Sequence, residues 1–243
     1  MSVILKNMNT YSPATKWVLV VAFVLLTPAL PRAQVDYLED PGFATVQAQA
    51  KATAKKMLLV CCTEWCGPCK VIKNEHFKDV AVSELINAKY VAAYYDMEKG
   101  HGITMAKKYG VREYPTLIIL DTAAKFIDRI GGVSTDIGSF LSTLKALDNK
   151  TNDRYPGIST SIHLPFPDFY NKFFEATKKQ SVPPEIVDAW LREQKDLFNE
   201  VSWRVLHAFD HGKQYDNFIY NNYQVYVKLY DGEAKLRVNK IIT

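Results

Sequence analysis

The run Lys56-Met57-Leu58-Leu59-Val60-Cys61-Cys62 most constrains what this chain can fold into. It is of strand length and almost wholly apolar, the pattern of a strand covered on both faces. After three more residues, Cys66-Gly67-Pro68-Cys69 turns the chain into Val71-Ile72-Lys73-Asn74-Glu75-His76, which has helical spacing. A buried strand that feeds straight into a helix requires helices layered on a sheet.

The segments around it extend that pattern. Residues 41–55 are Ala-rich with Pro41 early and predict a helix. Asp79 precedes a second short helix at 81–87. Residues 90–95, 116–120 and 125–130 read as strands, the last ended by Gly131-Gly132. Residues 101–109 read as a helix stopped by Gly110. Residues 134–147 carry an apolar stripe at Ile137, Phe140, Leu141, Leu144 and Leu147. The order αβαβαββα predicts an α/β domain over 36–148, a mixed sheet with helices on both faces.

The composition then shifts. Residues 149–167 are rich in Pro, Asn, Ser and Thr and read as a linker or an extended wrap. Residues 168–243 have helical patterning. Phe169, Tyr170, Phe173 and Phe174 cluster, Pro183-Pro184-Glu185 starts a helix, and 202–211 and 218–229 are further helices. A module of this size has a marginal core of its own and is expected to lean on the first domain or on a partner.

Residues 1–33 read as a secretory signal peptide. Lys6 and Lys16 precede an apolar run from Trp17 to Leu26, followed by small residues and prolines. The run is shorter than the ~20 residues of a comfortable membrane span. An exported protein that is not integral to the membrane after cleavage is the expectation, periplasmic or otherwise outside the cytoplasm. The segment holds three basic residues and no acidic one, so its removal takes the formal charge from +4 to +1. A nearly neutral chain gives no electrostatic case for nucleic acid.

All four cysteines lie within residues 61–69. A C-x-x-C at a strand-to-helix turn in an exported α/β protein reads as catalytic thiol chemistry. Cys66 at the helix N-terminus is expected to have a lowered pKa and to be the attacking sulfur. Cys69, one turn on, then attacks the mixed disulfide and releases the substrate. Pro68 suits the first helical turn, and Gly67 allows close approach of a partner. Cys61 and Cys62, neighbours on a strand, point to opposite faces and cannot easily share one metal. They read as buried packing residues, so no metal site and no cofactor is expected. His207 and His211, four apart, lack a third ligand and read as solvent-facing; His76 and His101 read as surface residues near the site.

Trp65-Cys66-Gly67-Pro68-Cys69-Lys70 resembles the active-site motif of the thioredoxin superfamily. Tyr109-Gly110-Val111 with Tyr114-Pro115-Thr116 is similar to the family's cis-proline segment, and Gly131-Gly132 to the glycine after its last strand. The resemblance covers about residues 41–148, and the loops FKDVAVSEL and MEKGHGI look most like the exported, DsbD-C-terminal type. It implies a thioredoxin fold with Pro115 cis beside Cys66. It also implies that Tyr114 pairs through its backbone with an extended substrate segment. Trp65, Gly67, Pro68, Tyr114 and Pro115 are the implied substrate-binding residues, and Cys66 and Cys69 the catalytic ones. The implied activity is reduction of protein disulfides, with a membrane electron donor of DsbD type; a disulfide oxidase or isomerase on the same fold, and a binding module in which the helical tail recruits a partner, are the alternative readings. Two positions depart from the family. Val60 stands where it has a buried Asp that takes a proton from the resolving thiol, leaving Glu64 or water for that task. Ala92 stands for its lysine partner.

Overall fold

The computed structural model describes residues 34–176 and 180–243; the expected signal peptide lies outside them. Five strands form one sheet: β1 (Tyr37–Glu39), β2 (Lys56–Cys62), β3 (Tyr90–Asp96), β4 (Thr116–Leu120) and β5 (Phe126–Gly131). Their spatial order is β1-β3-β2-β4-β5. β2 is central, parallel to β3 and antiparallel to β4, and β5 is antiparallel to β4. This is the mixed sheet that the periodicity predicts. The added strand, β1, is three residues long and pairs parallel with β3. So short a run gives little alternation to read.

Alternation along β2 divides the interior in two. Met57, Leu59 and Cys61 face one cluster, and Leu58, Val60 and Cys62 face the other. On the second face pack α2 (Gly67–Asn74), α3 (Val80–Lys89) and α5 (Ile137–Asp148), through Ile72, Val82, Ile86, Phe140 and Leu144. On the first pack α1 (Phe43–Thr53) and α4 (Gly100–Tyr109). Gly110 closes α4 with φ +59°, the left-handed conformation a helix end favours in glycine.

The appended helices are α6 (Asp168–Glu175), α7 (Pro184–Arg192), α8 (Glu200–Ala208), α9 (Lys213–Asn221) and α10 (Tyr223–Ile242). They join the first cluster: Tyr170, Phe174, Trp203, Tyr226 and Tyr230 share it with Met105, Tyr109 and Phe126. Ala33–Thr243 form one compact unit. Residues 149–167 wrap along the domain, with Tyr155, Ile158 and Phe166 buried and Tyr155 Oη donating to Asp128 at 2.9 Å. The helix expected at 218–229 is instead two, because the chain breaks at Asn222. α10 is itself kinked at Asp231, whose φ of 29° is not helical.

Buried charge ties the two parts together. Lys108 of α4 pairs with Glu200 of α8 at 2.6 Å. Glu233 of α10 accepts from Trp203 Nε1 and pairs with Arg204, and Arg129 of β5 lies 3.5 Å from it. Burial by itself would raise the Glu233 pKa. The Arg204 and Arg129 guanidiniums outweigh it and hold the carboxyl at about 2.

Candidate active site

β2 ends at Cys62 and α2 begins at Gly67, so the sheet delivers the C-x-x-C to a helix N-terminus. Cys66 is the N-cap, its sulfur accepting from the Cys69 backbone N–H at 3.2 Å. A free helix-terminal N–H aimed at this sulfur favours its thiolate over its thiol. The two sulfurs are disulfide-bonded, with Cα atoms 5.3 Å apart. Cys66 is 4% exposed and Cys69 fully buried. Pro68 sits in the first turn, where no N–H is missed. A Cβ built on Gly67 would meet nothing within 4 Å, so the space in front of it is open.

Across from the disulfide the Tyr114–Pro115 peptide bond is cis. The Trp65 ring meets Tyr114 edge-on, with centroids 5.8 Å apart. Trp65 is 66% exposed, a large apolar surface beside the reactive pair. Its indole Nε1 donates to Glu98 at 2.9 Å, which fixes the ring. Among the described residues no hydrogen bond engages the Tyr114 backbone. Trp65, Cys66, Gly67, Pro68, Cys69, Tyr114 and Pro115 therefore meet at one end of the sheet. Glu98 escaped sequence reasoning because its partner is 33 residues away.

Cys61 and Cys62 are free and fully buried on opposite faces. Burial raises both thiol pKa values, that of Cys62 to about 12, so neither is a thiolate at neutral pH. Cys62 lies on the face of Cys66, Cys69 and Tyr94. The Lys73 ammonium stands 4.4 Å over the Tyr94 ring.

Val60 is fully buried in the cluster that contains Cys69. Its strand neighbour is Tyr94, whereas Ala92 pairs with Leu58. Glu64 is exposed and bonded to Lys99, whose hydrogen bond and charge lower its pKa. A solvated carboxylate held ionised by a lysine is a weakened base.

The histidines differ from expectation. His76 is buried, its Nε2 within 2.9 Å of the Thr135 carbonyl. The helix α8 ends at Ala208, so His207 and His211 do not share a helix face. His211 is buried against Arg237 and the Leu206 carbonyl. Burial, reinforced by Arg129, Arg204 and Arg237, lowers the His207 pKa to about 3 against the pull of Glu233. The apolar run through α8 pulls these polar side chains into the seam. No group of three metal-ligating side chains occurs among the described residues, and no helix there is long and apolar enough to cross a membrane.

A family model described as a thioredoxin-like domain matches residues 43–147. A candidate disulphide-isomerase from Bacteroides thetaiotaomicron is 32% identical over 50% of this chain and 98% of its own, with a TM-score of 0.44. A thioredoxin from Thermus thermophilus is 23% identical over 46% of this chain and 88% of its own, with a TM-score of 0.40. A protein described as DsbH oxidoreductase is 16% identical over 50% of this chain and 91% of its own, with a TM-score of 0.40. No curated protein matches the chain significantly. Through residues 43–147, the sheet and the C-x-x-C at the head of α2, the chain belongs to the thioredoxin superfamily of thiol–disulfide oxidoreductases.

Proposed function

We propose that the protein is an exported disulfide reductase that passes electrons from its Cys66–Cys69 dithiol to disulfides of other proteins. The observation that carries this reading is the redox pair at a helix N-terminus with Gly67-Pro68 between its cysteines, facing an open Tyr114-Pro115 edge. Cys66 thiolate attacks a substrate disulfide, and one substrate sulfur leaves as a thiolate that takes a proton from water. Cys69, once deprotonated, attacks Cys66 of the mixed disulfide. The second substrate thiol leaves reduced and the enzyme retains the Cys66–Cys69 disulfide, a balanced two-electron exchange. A substrate segment pairs with the Tyr114 backbone as an added strand and packs against Trp65.

The Gly-Pro dipeptide supports a reducing pair, as in thioredoxin. The basic and apolar N-terminus supports export, and a reductase outside the cytoplasm needs renewal by a membrane dithiol donor of DsbD type. Dithiol-dependent reduction of insulin by the purified protein tests the direction. Activity lost in Cys66→Ser is the expected result; catalysed disulfide formation in reduced substrates without reduction would overturn it.

A further inference from the structure

The thiol chemistry leaves unused the seam where the appended helices meet the cis-proline loop. Three hollows adjoin there. One of about 240 Å³ opens at Trp65, next in sequence to Cys66, and is lined also by Glu98, Tyr114 and, from α6, Phe173 and Phe174. A second of about 330 Å³ lies along residues 110–113 and reaches Arg129, His207 and Lys240. A third of about 220 Å³ runs from Phe173 to Arg237 and Lys240. Arg112 lines all three. Its guanidinium bonds the Ala208 carbonyl and lies 5.2 Å from the Phe173 ring centre, so the appended helices hold it in place.

The chemistry changes along this path. Near Trp65 the walls are aromatic, and further on they are basic. Glu113 and Asp210 also line the basic part, and Arg129 and Arg237 are matched by Glu233 and Asp216. Arg112 and Lys240 have no carboxylate partner among the described residues, and Lys240 is exposed. Exposed cations without a carboxylate partner at the rim of a groove select acidic ligands.

We infer that the appended helices extend the substrate groove into a second subsite, which takes the flank of an extended protein disulfide substrate. That flank places a large apolar side chain against Trp65 and Phe173 and an acidic side chain towards Arg112 and Lys240. The inference deepens the reductase reading and rests on it for the substrate class. It gives the C-terminal third a task in choosing substrates, beyond covering the sheet.

Binding of short peptides tests it without any thiol step. Serine replaces the peptide cysteine, a leucine precedes or follows it, and the outer flank carries either two glutamates or two lysines. Isothermal titration calorimetry of the full chain reports affinity. The acidic peptides should bind about fivefold more tightly than the basic ones at low salt, and the gap should narrow as salt rises. Lys240→Glu, at an exposed position, should remove most of that preference with its thermal unfolding unchanged. Equal binding of the two peptides, no binding of either, or a preference untouched by Lys240→Glu would overturn the subsite. If the binding preference holds while cysteine-containing peptides are never reduced, the reductase reading fails and the groove stands.

Discussion

At the scale of the residue, the site is an arrangement of sulfurs with unequal access. Cys66 meets solvent and a helix-terminal N–H, whereas Cys69, Cys61 and Cys62 do not meet solvent at all. Cys66→Ser should abolish turnover, and Cys69→Ser should accumulate mixed disulfides with substrates, seen as reducible adducts on gels. Accumulation in the Cys66 variant instead would reverse the two roles. Val60→Asp would restore the carboxylate of the wider superfamily, but within an apolar cluster. It should cost about 1–3 kcal/mol in denaturant unfolding, the expense of an unmatched buried polar group. WCGPCK was legible in the sequence because its chemistry is local: a strand end, a turn and a helix start within ten residues. The hydrogen bond of Trp65 with Glu98 was not, since the turn after β3 brings in its partner. The buried His76 and half-buried His207 were read as exposed because a polar side chain carries no mark of the cover that other elements give it.

At the scale of the element, periodicity placed β2 to β5 and α1 to α5 near their observed bounds and marked the helical run from α6 to α8, with the end of α7 six residues too late. It failed where chain direction rather than pattern decides, as at Asn222 and Asp231, where apolar spacing continues through a break. The appended helices cover Tyr109 of α4 and Phe126 of β5 and neutralise Lys108 and Arg129. Deleting residues 150–243 should therefore leave the remainder without cooperative unfolding, checked by calorimetry. A sharp transition in the shortened chain would show that its own core suffices. Glu233→Gln should cost about 3–5 kcal/mol, because Arg204 would remain buried without its counter-charge, with the half-buried Arg129 beside it.

At the scale of the whole molecule, the same seam makes stability sensitive to acid. The folded Glu233 pKa lies near 2, below its unfolded value, so its contribution is present above about pH 4.5 and is lost as pH falls towards 2. His207 is neutral in the fold with a pKa near 3, so the unfolded chain binds its proton first and acidification below about pH 6.5 also favours unfolding. Both act in one direction. Stability should decline steadily from pH 6.5 to 3, and His207→Gln should flatten the upper part of that decline; a pH-independent midpoint would contradict the assigned charges.

Direction of electron flow is the property on which the function turns, and the reduction potential of the Cys66–Cys69 pair tests it most directly. Equilibration with glutathione or thioredoxin buffers should give a value on the order of −270 mV, fit for a reductase. A value on the order of −120 mV, as in strong oxidants, would contradict the account.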